Sequence, residues 1–427
     1  MELSTITFII FSVMLILFIT EKIPIAVTAI AACIAFGIFG VVSIDAAFAG
    51  FGNDILFLIT GMIIVGNALY QTGVVQLIGK TIIKLVGTNE RLFILAIILV
   101  TVLFSLFINN SATASLMLPI ATAAIAASNG KLTKKNTYLV VGIAACVGGG
   151  ITLVGSPPQI IAQAYLADNG YDTMSFFEVG RFGIPVLILL IIFYMTFGLR
   201  LQKRVFNFPD VEDDKGIAAA GEAETSENKQ SKAKMIIAVA ILLFCIVGFL
   251  VELWSLGIVA MLGAVLCVAT GCVSLKRIYE KMDWTTIIII GCSFGFSAAL
   301  RESGAGTLIA SAVINALGDN LTLWLLCASF AFISMIITNF MSSTAAASIL
   351  VPIAAIAASE VGLDVKAAVI IVAVATNIGY ATPVSTPPIT MTLSAGYRFR
   401  DYLKVGGLFN VMAFILVLAL IPIVFDA

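Results

Sequence analysis

Histidine does not occur in this chain, and charge is scarce: Asp, Glu, Lys and Arg together make up 11% of its 427 residues. Without His, the commonest general base and the commonest metal ligand are both missing, so hydrolytic, zinc and haem chemistry are short of parts. The seven cysteines (Cys33, Cys146, Cys245, Cys267, Cys272, Cys292, Cys327) stand singly in apolar stretches without ligand spacing and read as packing residues. No basic patch is there to hold nucleic acid. No catalytic residues and no bound cofactor are expected.

What fills the sequence instead is apolar. Hydrophobic residues reach 61%, far beyond a soluble domain, and they fall in repeated runs of about 20, the length that spans a bilayer. The expectation is an all-α polytopic membrane protein in a lipid bilayer. Met1-Glu2 leads straight into an apolar run without a basic n-region, which reads as a retained first span.

One stretch occurs twice. Ser105 to Ala121, SLFINNSATASLMLPIA, aligns without gaps on Thr338 to Ala354, TNFMSSTAAASILVPIA. The alignment pairs Ser105 with Thr338, Asn109-Asn110-Ser111 with Ser342-Ser343-Thr344, Ser115 with Ser348 and Pro119 with Pro352. Each copy sets small polar residues between two apolar arms too short to cross separately, which suggests a re-entrant hairpin. A Pro-rich break follows each: Gly155 to Gln159 (GSPPQ) and Ala381 to Pro388 (ATPVSTPP). Broken backbone at membrane depth is tolerated only where protein or a cavity surrounds it, so paired breaks in corresponding halves point to a carrier's binding site.

The order of runs gives two repeats, 1–205 and 235–427, each with five spans and one hairpin (about 92–127 and 321–358), joined by a flexible polar cytoplasmic linker, 206–234. An odd number of spans per half inverts the second half relative to the first. Charge tests this: with both termini outside, only Arg181, Arg301 and Lys366 of the 23 Lys and Arg residues fall on the outer side. Arg301-Glu302 reads as an interfacial pair at a helix end. A plasma membrane, bacterial by its short loops, is the expected location.

Neither tip nor break shows a charged residue in the sequence. Helix N-termini with unpaired N–H groups can hold an anion, and hydroxyl, amide and freed carbonyl oxygens suit a small cation such as Na⁺.

At these residues the chain resembles the divalent anion/sodium symporter family, within a broader ion transporter group that also holds arsenite permeases. Both hairpin triplets, the Gly-Ser-Pro-Pro and Ala-Thr-Pro breaks, and GYRFRDYLKVG at Gly396 to Gly406 carry the resemblance. It implies homodimeric, elevator-type carriage of a small divalent anion, a C4-dicarboxylate first, coupled to Na⁺. It also implies one Na⁺ site from Ser105, Asn109, Asn110 and the backbone at Gly155, and a second from Thr338, Ser342, Ser343 and the backbone at Ala381. The anion would meet Asn110, Ser111, Ser156 and Pro157 from one half and Ser343, Thr344, Thr382 and Pro383 from the other. Gly155-Ser156-Pro157 can be set against Ala381-Thr382-Pro383 or against Ser385-Thr386-Pro387. Ser343 stands where the family has Asn, which removes an amide from the second site. The alternatives are a sulfate or other oxyanion permease and a Na⁺-independent exchanger, then an arsenite permease or a sodium/proton antiporter, the last lacking a titrating carboxylate in the membrane core.

Overall fold

The structure is a computed structural model and describes residues 2–425 apart from 75–76, 78–88, 129, 211–230, 252–253 and 319–320. The described residues are entirely helical where they are regular. In chain order the principal helices are α1 (Leu3–Thr20), α2 (Ile25–Ile38), α3 (Asp54–Thr72), α4 (Glu90–Ser105), α5 (Asn110–Ala126), α6 (Lys134–Gly149), α7 (Pro157–Asp168) and α8 (Gly180–Phe193), which runs on to Val205. The second half holds α9 (Lys232–Val251), α10 (Leu256–Ala269), α11 (Trp284–Glu302), α12 (Ala305–Leu317), α13 (Leu323–Thr338), α14 (Ser343–Glu360), α15 (Val365–Thr376), α16 (Pro387–Met391) and α17 (Phe399–Val424).

Seven of the described helices are long and apolar enough to cross a membrane, so the chain is a multi-pass membrane protein. Helix starts are set by short polar side chains: Asn53, Asn89, Ser255, Asp283, Thr322 and Asp364 each accept a hydrogen bond from a first-turn N–H. Such caps satisfy donors that hydrocarbon cannot.

The packing is reciprocal between the halves. α2 lies against α11, and α10 against α3; α7 lies against α14, and α16 against α5. Each hairpin also holds its own half's broken helix, α4 and α5 against α6, α13 and α14 against α15. Small residues permit the closest of these approaches. A Cβ on Gly61 of α3 would stand 2.5 Å from the Ala260 carbonyl carbon of α10.

Several expectations meet local differences. The arm α14 has 18 residues and is apolar enough to span by length, whereas α5 is shorter. The third span ends at Thr72 with Gly73 in the left-handed region (φ 85°); Lys80 and Lys84, which follow it in the sequence, lie outside the described residues. Of the linker 206–234, Phe206–Asp210 is fixed: the Asp210 carboxylate accepts from the N–H groups of Lys134 (3.0 Å) and Lys135 (3.1 Å). At its other end α9 already begins at Lys232, and 211–230 lie outside the described residues. Arg301 closes α11 as an exposed helix-end residue and donates to Asn169 Oδ1. The seven cysteines are all buried and free.

Candidate functional site

Each hairpin turns in four residues, Leu106–Asn109 and Asn339–Ser342, as the gapless alignment requires. The last of the four has nearly the same backbone in both, φ −48° and ψ 138° at Asn109, φ −54° and ψ 135° at Ser342. The second arms α5 and α14 therefore present corresponding N-termini, Asn110-Ser111 and Ser343-Thr344. Asn109 caps its arm by accepting from the Ser111 N–H (2.8 Å); Ser342 makes no side-chain cap.

The first tip folds onto the break between α6 and α7. Ser105 Oγ donates to the Ala145 carbonyl at 2.6 Å. One terminal atom of the Asn110 carboxamide lies 2.8 Å from Ser105 Oγ, 3.0 Å from Ala145 O and 2.9 Å from Gly155 O. All three neighbours carry lone pairs, so that atom is either the amide nitrogen donating to them or the amide oxygen sharing a cation with them. The crowding is built in by glycine: a Cβ on Gly149 would fall 1.8 Å from Asn110 Oδ1 and 2.7 Å from Gly155 O. Ser105, Asn110 and Gly155 are thus brought together, and Ala145 joins them. Asn109 is not in this group.

The second tip repeats part of the arrangement. Thr338 Oγ1 donates to Thr376 O (2.8 Å), as Ser105 does to Ala145. The Ser343 N–H donates to Ser385 O (3.3 Å), and a Cβ on Gly379 would lie 2.9 Å from Ser385 Cβ. Ser385 therefore takes the place of Gly155. Asn339, one turn before the triplet, accepts from the Ala381 N–H through Oδ1 (3.1 Å) and from Thr382 Oγ1 through its backbone carbonyl (2.5 Å). Ala381 and Thr382 thus bind the turn of the hairpin and do not start a helix.

The register of the breaks follows from the helix starts. Ser156 precedes Pro157 at the first turn of α7 with φ −142° and ψ 141°; Thr386 precedes Pro387 at the first turn of α16 with φ −147° and ψ 142°. Proline at a helix start costs no hydrogen bond and fixes the entering φ. Ser156-Pro157 and Thr386-Pro387 are the structural mates. The two breaks also touch: Ser156 Oγ donates to Asn377 Oδ1 (2.5 Å), and Cys146 Sγ is 3.4 Å from Thr386 Oγ1.

A cavity of about 410 Å³ opens beside the first tip, lined by Asn67 and Tyr70 of α3, by Asn109, Ser111 and Ser115, and by Lys281 and Asp283. The sequence showed no charge at either tip, yet Asp283 Oδ2 accepts from Asn109 Nδ2 at 2.9 Å. The two residues lie 174 positions apart, and only the packing of the halves joins them. Asn377 was missed for the same reason, Ala145 because it offers only a backbone carbonyl, and Asn339 because it stands outside the repeated triplet; Ser385 and Thr386 were visible as the other register.

A family model described as citrate transporter matches residues 15–369. The chain is 26% identical to the sodium-dependent high-affinity dicarboxylate transporter 3 of Caenorhabditis elegans, over 93% of this chain and 79% of that one. It is 25% identical to the sodium-dependent dicarboxylate transporter SdcS of Staphylococcus saprophyticus, over 94% and 82%. An uncharacterized transporter of Haemophilus influenzae is 27% identical over 94% and 88%. In fold it is similar to the YdaH transporter of Alcanivorax borkumensis, with a TM-score of 0.61 at 15% identity over 88% of this chain and 86% of that one. These relatives are membrane carriers rather than enzymes, in keeping with the resemblance to the divalent anion/sodium symporters, and the chain belongs to the citrate transporter family.

Proposed function

We propose that this chain is a secondary active transporter that moves a small divalent anion, a C4-dicarboxylate first, across a bacterial plasma membrane with Na⁺ as the coupling ion. The observation that carries the reading is the oxygen cluster of Ser105 Oγ, Ala145 O, Gly155 O and the Asn110 carboxamide. Hydroxyl, carbonyl and amide oxygens are hard ligands, and freed carbonyls at a helix break are the usual way for a carrier to hold Na⁺. The sodium dependence named for the C. elegans and S. saprophyticus relatives supports the same assignment.

The anion is assigned to the place where the two breaks meet, with the N-termini of α5 and α7 on one side and of α14 and α16 on the other. The N-termini of α5 and α14 bring partial positive charge and N–H groups, and α7 and α16, which open on Pro-Pro and lack those N–H groups, bring the Ser156 and Thr386 hydroxyls, so a dicarboxylate needs no Lys or Arg to be held. Ser111, Ser156 and Pro157 would meet one end. Ser343, Thr344 and Thr386, with Thr382 and Pro383 behind them, would meet the other. Thr338, Ser342, Ser343 and the carbonyls of Thr376 and Ser385 are the second cation set, weakened by Ser in place of Asn at 343. The reciprocal packing supports two corresponding repeats; their inversion rests on the charge distribution and span count, and the elevator-type mechanism and homodimer rest on the resemblance to the divalent anion/sodium symporters.

The test is uptake of labelled succinate by the reconstituted protein under an inward Na⁺ gradient or with K⁺ replacing it. Uptake that requires Na⁺, is blocked by malate, and loses its Na⁺ stimulation in Asn110→Ala is the expected result. Folded protein that takes up no succinate under either cation would overturn the dicarboxylate reading in favour of sulfate or another oxyanion. Uptake indifferent to Na⁺ would overturn the coupling and leave an exchanger.

A further inference from the structure

The cavity beside the first hairpin tip holds two opposite charges that the anion site itself does not need. Lys281 ends the short helix Leu275–Lys281, and Asp283 caps the next helix, α11, accepting from the Thr286 N–H (3.1 Å) and from Thr286 Oγ1 (2.6 Å). Both line the same space as Ser111 and Ser115 of α5. Asp283 does more than cap. Its Oδ2 takes the amide of Asn109, and Asn109 in turn holds the Ser111 N–H. A carboxylate therefore sits one side chain away from the α5 N-terminus, where an anion would enter. The corresponding cap in the other half differs: Asn53, which caps α3 as Asp283 caps α11, is neutral. The other half has its carboxylate one position on, at Asp54, where it is taken up by Ser255 Oγ and the Gly257 N–H.

We propose that Asp283 and Lys281 set how much negative charge the transported anion can carry: Asp283 penalises each added charge and Lys281 rewards it. This rests on the reading of the chain as an anion carrier. At a separation of about 6 Å in water-filled space, one fixed charge changes affinity roughly threefold per unit of substrate charge, and more as water is excluded. Asp283 is thus a specificity-determining residue acting by its field, and through Asn109 a positioning residue for the tip.

The experiment compares succinate and tricarballylate as competitors of labelled succinate uptake in proteoliposomes, well above the carboxyl titration range of about 4. The two differ chiefly by one carboxylate. Asp283→Asn removes the charge and keeps one acceptor oxygen, which can still serve Thr286 Oγ1 and the Asn109 amide while the cap on the Thr286 N–H is given up. It should raise tricarballylate affinity relative to succinate by roughly threefold or more. Lys281→Gln should move the ratio the other way, the double variant should return it towards wild type, and high salt should shrink every difference. A purely structural role would lower both anions alike and could not change sign between the two variants. The proposal fails if succinate is transported and the ratio stays fixed, or moves in one direction for both variants. If the folded wild type takes up no labelled succinate, the dicarboxylate reading fails first and this inference falls with it.

Discussion

At the scale of single residues, what matters is how little room the first tip leaves. Gly149 is helical, so its requirement is not for unusual dihedral angles but for the missing Cβ, which would overlap Asn110. Gly149→Ala should cost at least about tenfold in Na⁺-stimulated uptake, because the Asn110 carboxamide must leave its place beside Gly155 O. Gly52, where an added Cβ would find nothing within 4 Å, is the matched control, and Gly52→Ala should transport as wild type. Equal uptake by both variants would remove the oxygen cluster from the mechanism. In the second half the corresponding experiment adds what is missing. Ser343→Asn should steepen the sodium dependence or change the rank order of substrates; unchanged sodium dependence with unchanged rank order would mean that Ser343 is not the cause of any departure. Asn110 and Ser105 were legible in the sequence because the repeat marks them twice. Ala145 was not, since it contributes only a backbone carbonyl and no side-chain signal records that.

At the scale of elements, the breaks were readable and their register was not. Gly148 to Gly150 and the Pro pairs interrupt apolar runs visibly, because glycine and proline free backbone groups that hydrocarbon cannot satisfy. Two Thr-Pro or Ser-Thr-Pro steps follow α15, however, and the sequence offers no reason to prefer one. The structure separates them by use: Thr382 hydrogen-bonds the hairpin turn at Asn339, whereas Thr386 starts α16. The contact between the breaks was invisible for a further reason, since Ser156 and Asn377 lie 221 positions apart. Buried hydrogen bonds of this kind contribute about 1 kcal/mol, and removing one partner strands the other. Ser156→Ala and Asn377→Ala should each lower the midpoint of thermal unfolding in detergent, and the double variant should be no worse than the poorer single one. Simple addition of the two losses would mean that the pair is not energetically coupled. Gly406 gives a second prediction at this scale. A Cβ there would meet the Tyr380 carbonyl oxygen at 1.9 Å, backbone that cannot swing aside, so Gly406→Ala should destabilise the docking of α17 on the second break by an amount in the range of about 1–3 kcal/mol typical of overpacking. Unfolding at the wild-type midpoint would show that α17 shifts freely.

At the scale of the whole molecule, packing shows that the halves correspond, and the charge distribution is what bears on their orientation. α2 on α11 with α10 on α3, and α7 on α14 with α16 on α5, exchange the halves. Such an exchange follows from a pseudo-two-fold relation between the halves, and an odd number of crossings in each half, as proposed, would lay its axis in the membrane plane. The sequence supplied the count through apolar runs and the sidedness through Lys and Arg; it could not supply the pairing of spans, which depends on close approaches such as Gly61 to Ala260. If both chain ends lie outside, as the Lys and Arg distribution leads us to propose, the 410 Å³ cavity with Lys281 and Asp283 would face the cytoplasm. The seven native cysteines are buried, so an introduced cysteine can be labelled above a low background. A membrane-impermeant maleimide should label Glu2→Cys from the outside of right-side-out vesicles and spare Ser115→Cys and Lys131→Cys, and the pattern should reverse in inverted vesicles. Label at Glu2 and Lys131 from the same face would give the first half an even number of crossings before Lys131, which would undo the inverted repeat. Label reversed at all three positions would keep the repeat and turn the molecule over, and the cavity would then face outward with its two charges meeting the substrate before transport rather than after it.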